Sequence, residues 1–284
     1  MADDGYGAIV AKRRLARRLA GMRKRAGLSL NDANDKLGWS RGRLDRFERN
    51  DWRLPDPTLV HYLGRIYEVS DEEQAELEDL TRRARERVWW RDYEEVFSNE
   101  FAGFENDAAR VSVYMPLLVP GLLQTSAYVK AQLALWPTSQ QWQERALQAR
   151  LRRQQILGRT DGTAPRLVAV LTEASLMYRW GTPEDRRAQA EHLAQMSRRP
   201  NVELRLLRFA DGPHPGMISP VNIFEFADDE DPPVVYLEND TGIQEATKPG
   251  EIDAYRDIFA RIRDAALAPA ATRNHLDTLT HTQE

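Results

Sequence analysis

A mainly α-helical chain in two parts, an all-α head followed by an α+β body, is the fold class the sequence predicts. Three observations carry it. Helix caps recur at short intervals as far as Trp89-Trp90, whereas beyond them β-branched and alternating runs bounded by Gly and Pro appear. The charge divides at nearly the same place: residues 1–70 carry 15 Lys+Arg against 9 Asp+Glu, and residues 71–284 carry 25 against 35. A basic head on an acidic body is the electrostatic layout of a nucleic-acid-binding module joined to a second function. With 284 residues at 42 % hydrophobic content, each part has enough apolar material for its own core.

In chain order, Leu15, Leu19 and Met22 recur at helical spacing and Gly27 follows as a stop, so 9–26 is predicted as an amphipathic helix with a basic outer face. Ser29 and Asp32 form a capping-box pattern for a second helix, which Gly38 ends; Ser40 is expected to cap the third. Asp56-Pro57 opens a fourth helix through Tyr67, and Ser70 with Glu73 opens a charged one running toward Trp89-Trp90. The body is expected to hold helices near 92–107, 124–135 and 140–158, and strands at 166–171, 202–207, 221–226 and 234–237, too few and scattered for a doubly wound sheet. A helix with Pro183 in its first turn lies between the first two strands, and AYRDIFARIRDAAL is the last. The domains read as a head at 9–70, a linker helix at 71–90, a body at 91–267 and a frayed polar tail at 268–284.

Composition narrows the function classes. The absence of cysteine removes disulfides, thiolate metal sites and a cysteine nucleophile, and fits a cytoplasmic protein. The start MADDGYGAIV lacks an apolar segment behind a basic one, and the richest apolar run, 115–123, is broken by Pro116 and Pro120, so neither secretion nor a membrane span is expected. Histidines 61, 192, 214, 275 and 281 have no metal-ligand spacing, and no phosphate loop, dinucleotide fingerprint or nucleophile elbow occurs. No enzyme, cofactor or metal is expected; Glu173 and Glu225 are the carboxylates an enzymatic reading would have to use.

The third helix carries the sharpest functional signal. With Leu44 and Phe47 as its buried side, Gly42, Asp45, Arg46 and Arg49 fall on the opposite face and Arg41 and Arg43 on its flanks. Four arginines on one exposed side suit phosphate neutralisation and guanine readout. The stretch GLSLNDANDKLGWSRGRLDRFERND, 27–51, resembles the Xre-type (lambda-repressor-like) helix-turn-helix, matching at Gly27, Leu28, Leu37, Gly38, Trp39, Ser40, Arg46 and Glu48. The resemblance implies a DNA-binding set of Ser29, Arg41, Gly42, Arg43, Asp45, Arg46 and Arg49. Three departures stand against it: Leu30 where the family usually has a backbone-contacting Gln, Asn34 in place of a small Ala, expected to loosen or tilt the helix pair, and Asp45 in place of a Ser. Asp45 repels phosphates unless it meets a cytosine amine or pairs with Arg41 or Arg49.

Further along, WWRDY (89–93), YMPLLVPGLLQTSAY (114–128), RPNVELRLL (199–207), GPHPG (212–216) and PPVVYLEN (232–239) resemble the carboxy-terminal domain of actinobacterial WhiJ-like regulators. That resemblance implies an antitoxin-like domain without established biochemical activity and a small partner protein encoded nearby. Physically, 116–123 reads as a stiff apolar elbow whose Leu117, Leu118, Val119, Leu122 and Leu123 are expected to be buried. A ligand or partner groove is expected to draw on Trp89, Trp90, Tyr114, Leu118, Leu122 and His214, although each also suits core packing, a domain junction or a plain turn. The acidic run 228–231 reads as a solvated hairpin tip. Three functions remain open: a transcriptional regulator on double-stranded DNA, expected to be a homodimer; an antitoxin-like partner-binding protein whose head has lost DNA affinity; and an enzyme on a regulator scaffold.

Overall fold

The computed structural model describes residues 7–97, 99–217, 219–239 and 242–282. The chain divides into two compact units, Met1–Asp92 and Tyr93–Glu284.

The first unit is all helical: α1 Ala8–Arg25, α2 Leu30–Leu37, α3 Arg43–Glu48, α4 Pro57–Ile66 and α5 Asp71–Ala84. Local chemistry sets the boundaries. The Ser29 hydroxyl accepts from Asp32 N while the Asp32 carboxylate accepts from Ser29 N, and Ser70 and Glu73 repeat the arrangement at α5. Asp56 accepts from Thr58 N at the start of α4, and α2 ends on Gly38 at φ 66°. One core gathers Leu15, Leu19 and Met22 of α1, Leu44 and Phe47 of α3, Leu63 of α4 and Leu77 and Leu80 of α5. The charged helix expected as a linker is thus an integral wall of the head, because its apolar positions 77, 80 and 84 share the face that meets this core. It also stops at Ala84, short of the tryptophans, which lie in a 3₁₀ turn, Trp89–Tyr93.

The second unit is built on one six-stranded sheet, order β3-β2-β1-β4-β5-β6, of β1 Arg110–Met115, β2 Arg166–Thr172, β3 Val202–Leu207, β4 Val221–Glu225, β5 Val234–Asn239 and β6 Gly242–Ala246. β1, β2 and β3 are parallel and the remaining pairings antiparallel. The strands are therefore neither few nor scattered. The central strand β1 went unread because Val111, Val113 and Tyr114 run straight into the proline elbow. The helices are α6 Phe101–Asp107, α7 Ser126–Leu133, α8 Gln140–Gln154, α9 Ala174–Met177, α10 Pro183–Met196, α11 Pro249–Ala265 and α12 Pro269–Thr282. The helix expected from 92 begins only at Phe101.

One sheet face, with Tyr114, Val168, Ile223 and Val235, packs on Ile252, Phe259 and Ile262 of α11. The other stacks Phe224 and Tyr236 on Phe101 and Phe104 of α6. The tail expected to fray is the helix α12. Its Leu276 is fully buried, and Thr272 Oγ1 accepts from Leu206 N on the edge strand β3 while Leu267 N donates to Leu206 O. That contact occupies backbone groups an edge strand would otherwise expose. The acidic run joins β4 to β5 as expected, but Asp231 is buried.

Candidate nucleic-acid interface

α2 and α3 form the helix-turn-helix pair, and their geometry differs from the sequence expectation at the start of α3. Ser40 does not cap it. Arg41 lies in the turn, and Gly42 takes the N-cap position at φ 85°, a left-handed conformation that leaves the cap without a side-chain acceptor. The missing acceptor comes from α2: Asn34, 1 % exposed, takes a bond from Leu44 N at 3.3 Å on Oδ1 and donates from Nδ2 to Leu30 O at 2.8 Å. Asn34 therefore fastens the two helices instead of loosening them, since an amide can cap across a turn where an alanine cannot.

A second fastening reaches α3 from α1. The Arg23 guanidinium engages both carboxylate oxygens of Glu48, the longer bond at 2.8 Å, and donates to Leu28 O at 2.6 Å; Arg23 and Glu48 side chains are 8 % and 9 % exposed. The forked bond to Glu48 holds Arg23 above its ordinary range. At the other end, Trp52 stacks on Phe47 with ring centres 5.0 Å apart and donates from Nε1 to the Phe47 carbonyl, a C-terminal acceptor of α3. Asn34, Arg23, Glu48 and Trp52 were not read as site-building residues, because each acts across the turn or between helices, where spacing leaves no trace.

So held, α3 turns Leu44 and Phe47 inward, while Arg41, Gly42, Arg43, Arg46 and Arg49 are exposed. All four arginines border one concave patch with Asp45 and Trp39. Arg43 lies over the Trp39 ring at 4.2 Å, Arg46 meets Asp51 at 3.1 Å and Arg49 meets Asp45 at 2.7 Å. Arg41 has no partner among the described residues. Asp45 thus takes one of the two escapes open to it, the i,i+4 pair. Leu30 packs partly buried against the head core, so it offers no polar contact. Ser29 is exposed with its hydroxyl accepting from Asp32 N, which leaves the hydroxyl proton for an outside acceptor.

The residues expected to share a groove do not assemble into one. Leu118 and Leu122 line a cavity in the body that includes neither tryptophan. Trp90 is buried and meets Trp89 edge-on at 5.9 Å. Tyr114 is fully buried on the α11 side of the sheet, where the His214 ring meets it at 5.8 Å. Leu117 and Leu118, expected inside, are 53 % and 47 % exposed, because the elbow turns outward and only Val119, Leu122 and Leu123 face the core. The elbow's backbone groups are met by side chains: Gln154 donates to the Gly121 and Gln124 carbonyls, Gln189 to Leu123, and Tyr128 Oη accepts from Val119 N. Glu225 is occupied by Arg110 and Arg256, and Glu173 by Phe209 N and His275.

A helix-turn-helix domain family matches residues 14–77. A domain of unknown function, DUF5753, matches residues 98–278, more than half of the chain. The chain belongs to the DUF5753 family. No curated protein and no solved structure matches it. This DUF5753 protein therefore joins a DNA-binding type of head to a body whose family carries no assigned activity, and none of the described helices is long and apolar enough to cross a membrane.

Proposed function

We propose that this DUF5753 protein is a sequence-specific transcriptional regulator that reads double-stranded DNA as a homodimer, with its carboxy-terminal domain as the half that senses a ligand or partner. The observation that carries the reading is the exposed arginine side of α3, held on a frame of buried polar contacts. A short helix can read bases only if its own position is fixed, and Asn34 and the Arg23–Glu48 pair supply that fixity. The resemblance to Xre-type and WhiJ-like regulators points the same way. Fluorescence anisotropy with the gene's own upstream DNA and a random duplex tests it. Arg46→Ala should cost ~1–3 kcal/mol on the upstream site and blur preference at one base pair, whereas Arg41→Ala should weaken both duplexes alike. Equal losses on both duplexes for both variants would refute the base-reading role.

A second reading, an antitoxin-like module that binds a basic partner protein, is favoured by the partners that Arg43, Arg46 and Arg49 already have within the head. Asp45→Ser separates the two. On the regulator reading it releases Arg49 and tightens binding to random DNA; on the partner reading DNA affinity stays negligible while the partner, encoded nearby, is lost.

A further inference from the structure

The body holds a cavity of ≈ 340 Å³ between the α6 side of the sheet, the proline elbow and α7 and α8. That size falls at the small end of ligand pockets, roughly 300–1,000 Å³. Much of its wall is apolar, from Val111, Val113 and Leu133 within to Leu118, Leu135 and Trp136, which are exposed at the rim. Into this wall the chain sets polar groups whose bonding capacity is unfilled. Asn222 sits on β4 in register with Val113 and Tyr236, on a sheet face that also brings Val111 and Glu238 to the cavity. It is 3 % exposed, and its Nδ2 has no hydrogen-bond partner. Gln124, 4 % exposed, donates to Val119 O but leaves Oε1 without a donor. A buried amide atom left without a partner is costly, and two bordering one space mark it as a place for polar atoms.

The charges narrow the class of occupant. Arg153 and Glu105 approach within 2.8 Å as an ion pair, although neither of the two atoms completes a hydrogen bond. Gly121 makes room for this pair, since a Cβ there would lie 1.8 Å from the Arg153 guanidinium. Arg150 is different. Its one hydrogen bond goes to Gln132 Oε1 at 3.4 Å, and no carboxylate among the described residues comes within ion-pairing distance. Glu238, on the cavity lining, acts on it only at longer range. Burial, with Arg153 nearby, pushes Arg150 down to about 10. A half-buried guanidinium beside a second guanidinium, with no carboxylate in contact, is a costly arrangement that an anionic ligand relieves.

We infer that this cavity is a binding site for a small carboxylate with an apolar body, its carboxylate oxygens taking the Arg150 guanidinium and the Asn222 amide and its body lying against Val111, Val113, Leu118 and Leu133. The site lies wholly in the carboxy-terminal domain, so it stands whether or not the head binds DNA. A planar guanidinium suits a carboxylate's two oxygens, and the exposed rim of Leu118, Leu135 and Trp136 provides an apolar entrance.

Isothermal titration calorimetry on the full chain tests this with linear monocarboxylates from butyrate to decanoate, and with octanol and octylamine as uncharged and cationic controls. Octanoate should bind saturably, at least tenfold more tightly than either control, with affinity rising along the series until the cavity is full. Arg150→Gln and Asn222→Leu should each weaken octanoate at least tenfold and leave octanol unchanged. Leu135→Glu, at an 80 % exposed rim position where folding is not at stake, should weaken octanoate several-fold by placing a carboxylate at the entrance. No saturable binding anywhere in the series, octanol binding as tightly as octanoate, or Leu135→Glu and Arg150→Gln binding like wild type would each overturn the assignment.

Discussion

At the residue scale, the head and the body depend on buried polar side chains that play opposite parts. Asn34 is satisfied at both ends of its amide, and removing it strands the Leu44 N–H inside the turn. Asn34→Ala should destabilise the head by ~1–2 kcal/mol, seen in urea unfolding, and should weaken DNA binding while the helical signal is retained. Glu105 is a strained counterpart. Burial raises its carboxyl to about 7 and outweighs the attraction of Arg153, with Glu238 adding to the upward push. Since that value lies above the unfolded 4.5, the native state keeps a proton that the unfolded chain has lost. Stability attached to this group is fully present below pH 4.5 and is lost as pH rises through about 7. Relative to Glu105→Gln, the wild type should therefore lose up to ~3 kcal/mol over that window, measured as the difference between their unfolding free energies; a difference that stays flat with pH would contradict the assignment.

At the element scale, α3 is six residues long and has too little helix of its own to be rigid. Its rigidity comes from Arg23 on α1, Asn34 on α2 and Trp52 beyond its end. Arg23→Met should cost ~3–5 kcal/mol because it leaves Glu48 buried and unpaired, and Glu48→Leu added to it should recover most of the loss. Thermal unfolding of the two variants checks this; equal midpoints for the single and double variants would show that the pair is not what fastens α3. The elements themselves were readable wherever the signal is local: Ser29 with Asp32, Ser70 with Glu73, Pro57 and Pro183 in first turns, and Leu44 with Phe47 facing inward. Elements set by distant partners were not. β1 was lost into the elbow, and α12 reads as polar because Thr272 and Leu276 are its buried positions while Arg273, His275 and Asp277 dock it through polar contacts. The arginine face was visible because periodicity alone places it. Of those arginines' partners, the i,i+4 pair of Asp45 with Arg49 was legible from spacing, whereas the capping by Asn34 and the body cavity join separate elements, for which a single chain offers no spacing rule.

At the scale of the whole molecule, one such helix contacts few base pairs, and the proposed regulator is therefore expected to act as two copies on an inverted repeat. Light scattering should give a dimer at micromolar concentration, and titration of the upstream DNA should reach two chains per site; a monomer both free and on DNA would exclude it. If Arg41, Arg43 and Arg49 of both copies meet phosphates, the logarithm of affinity should fall with the logarithm of salt at a slope of about −5.

The place of β1 in the sheet has a consequence for how the chain acquires its structure. Its neighbours arrive late: Val113 lies beside Ala169 on one side and Asn222 on the other, 56 and 109 residues downstream. During synthesis the first unit can close on contacts within its own 92 residues, while the strand that will occupy the middle of the sheet waits, one edge unpaired until β2 has emerged and the other until β4 has. Refolding should accordingly show a fast helical phase and a slower one carrying the tryptophan signal of the second unit, and during that delay β1 is the segment most in need of a chaperone.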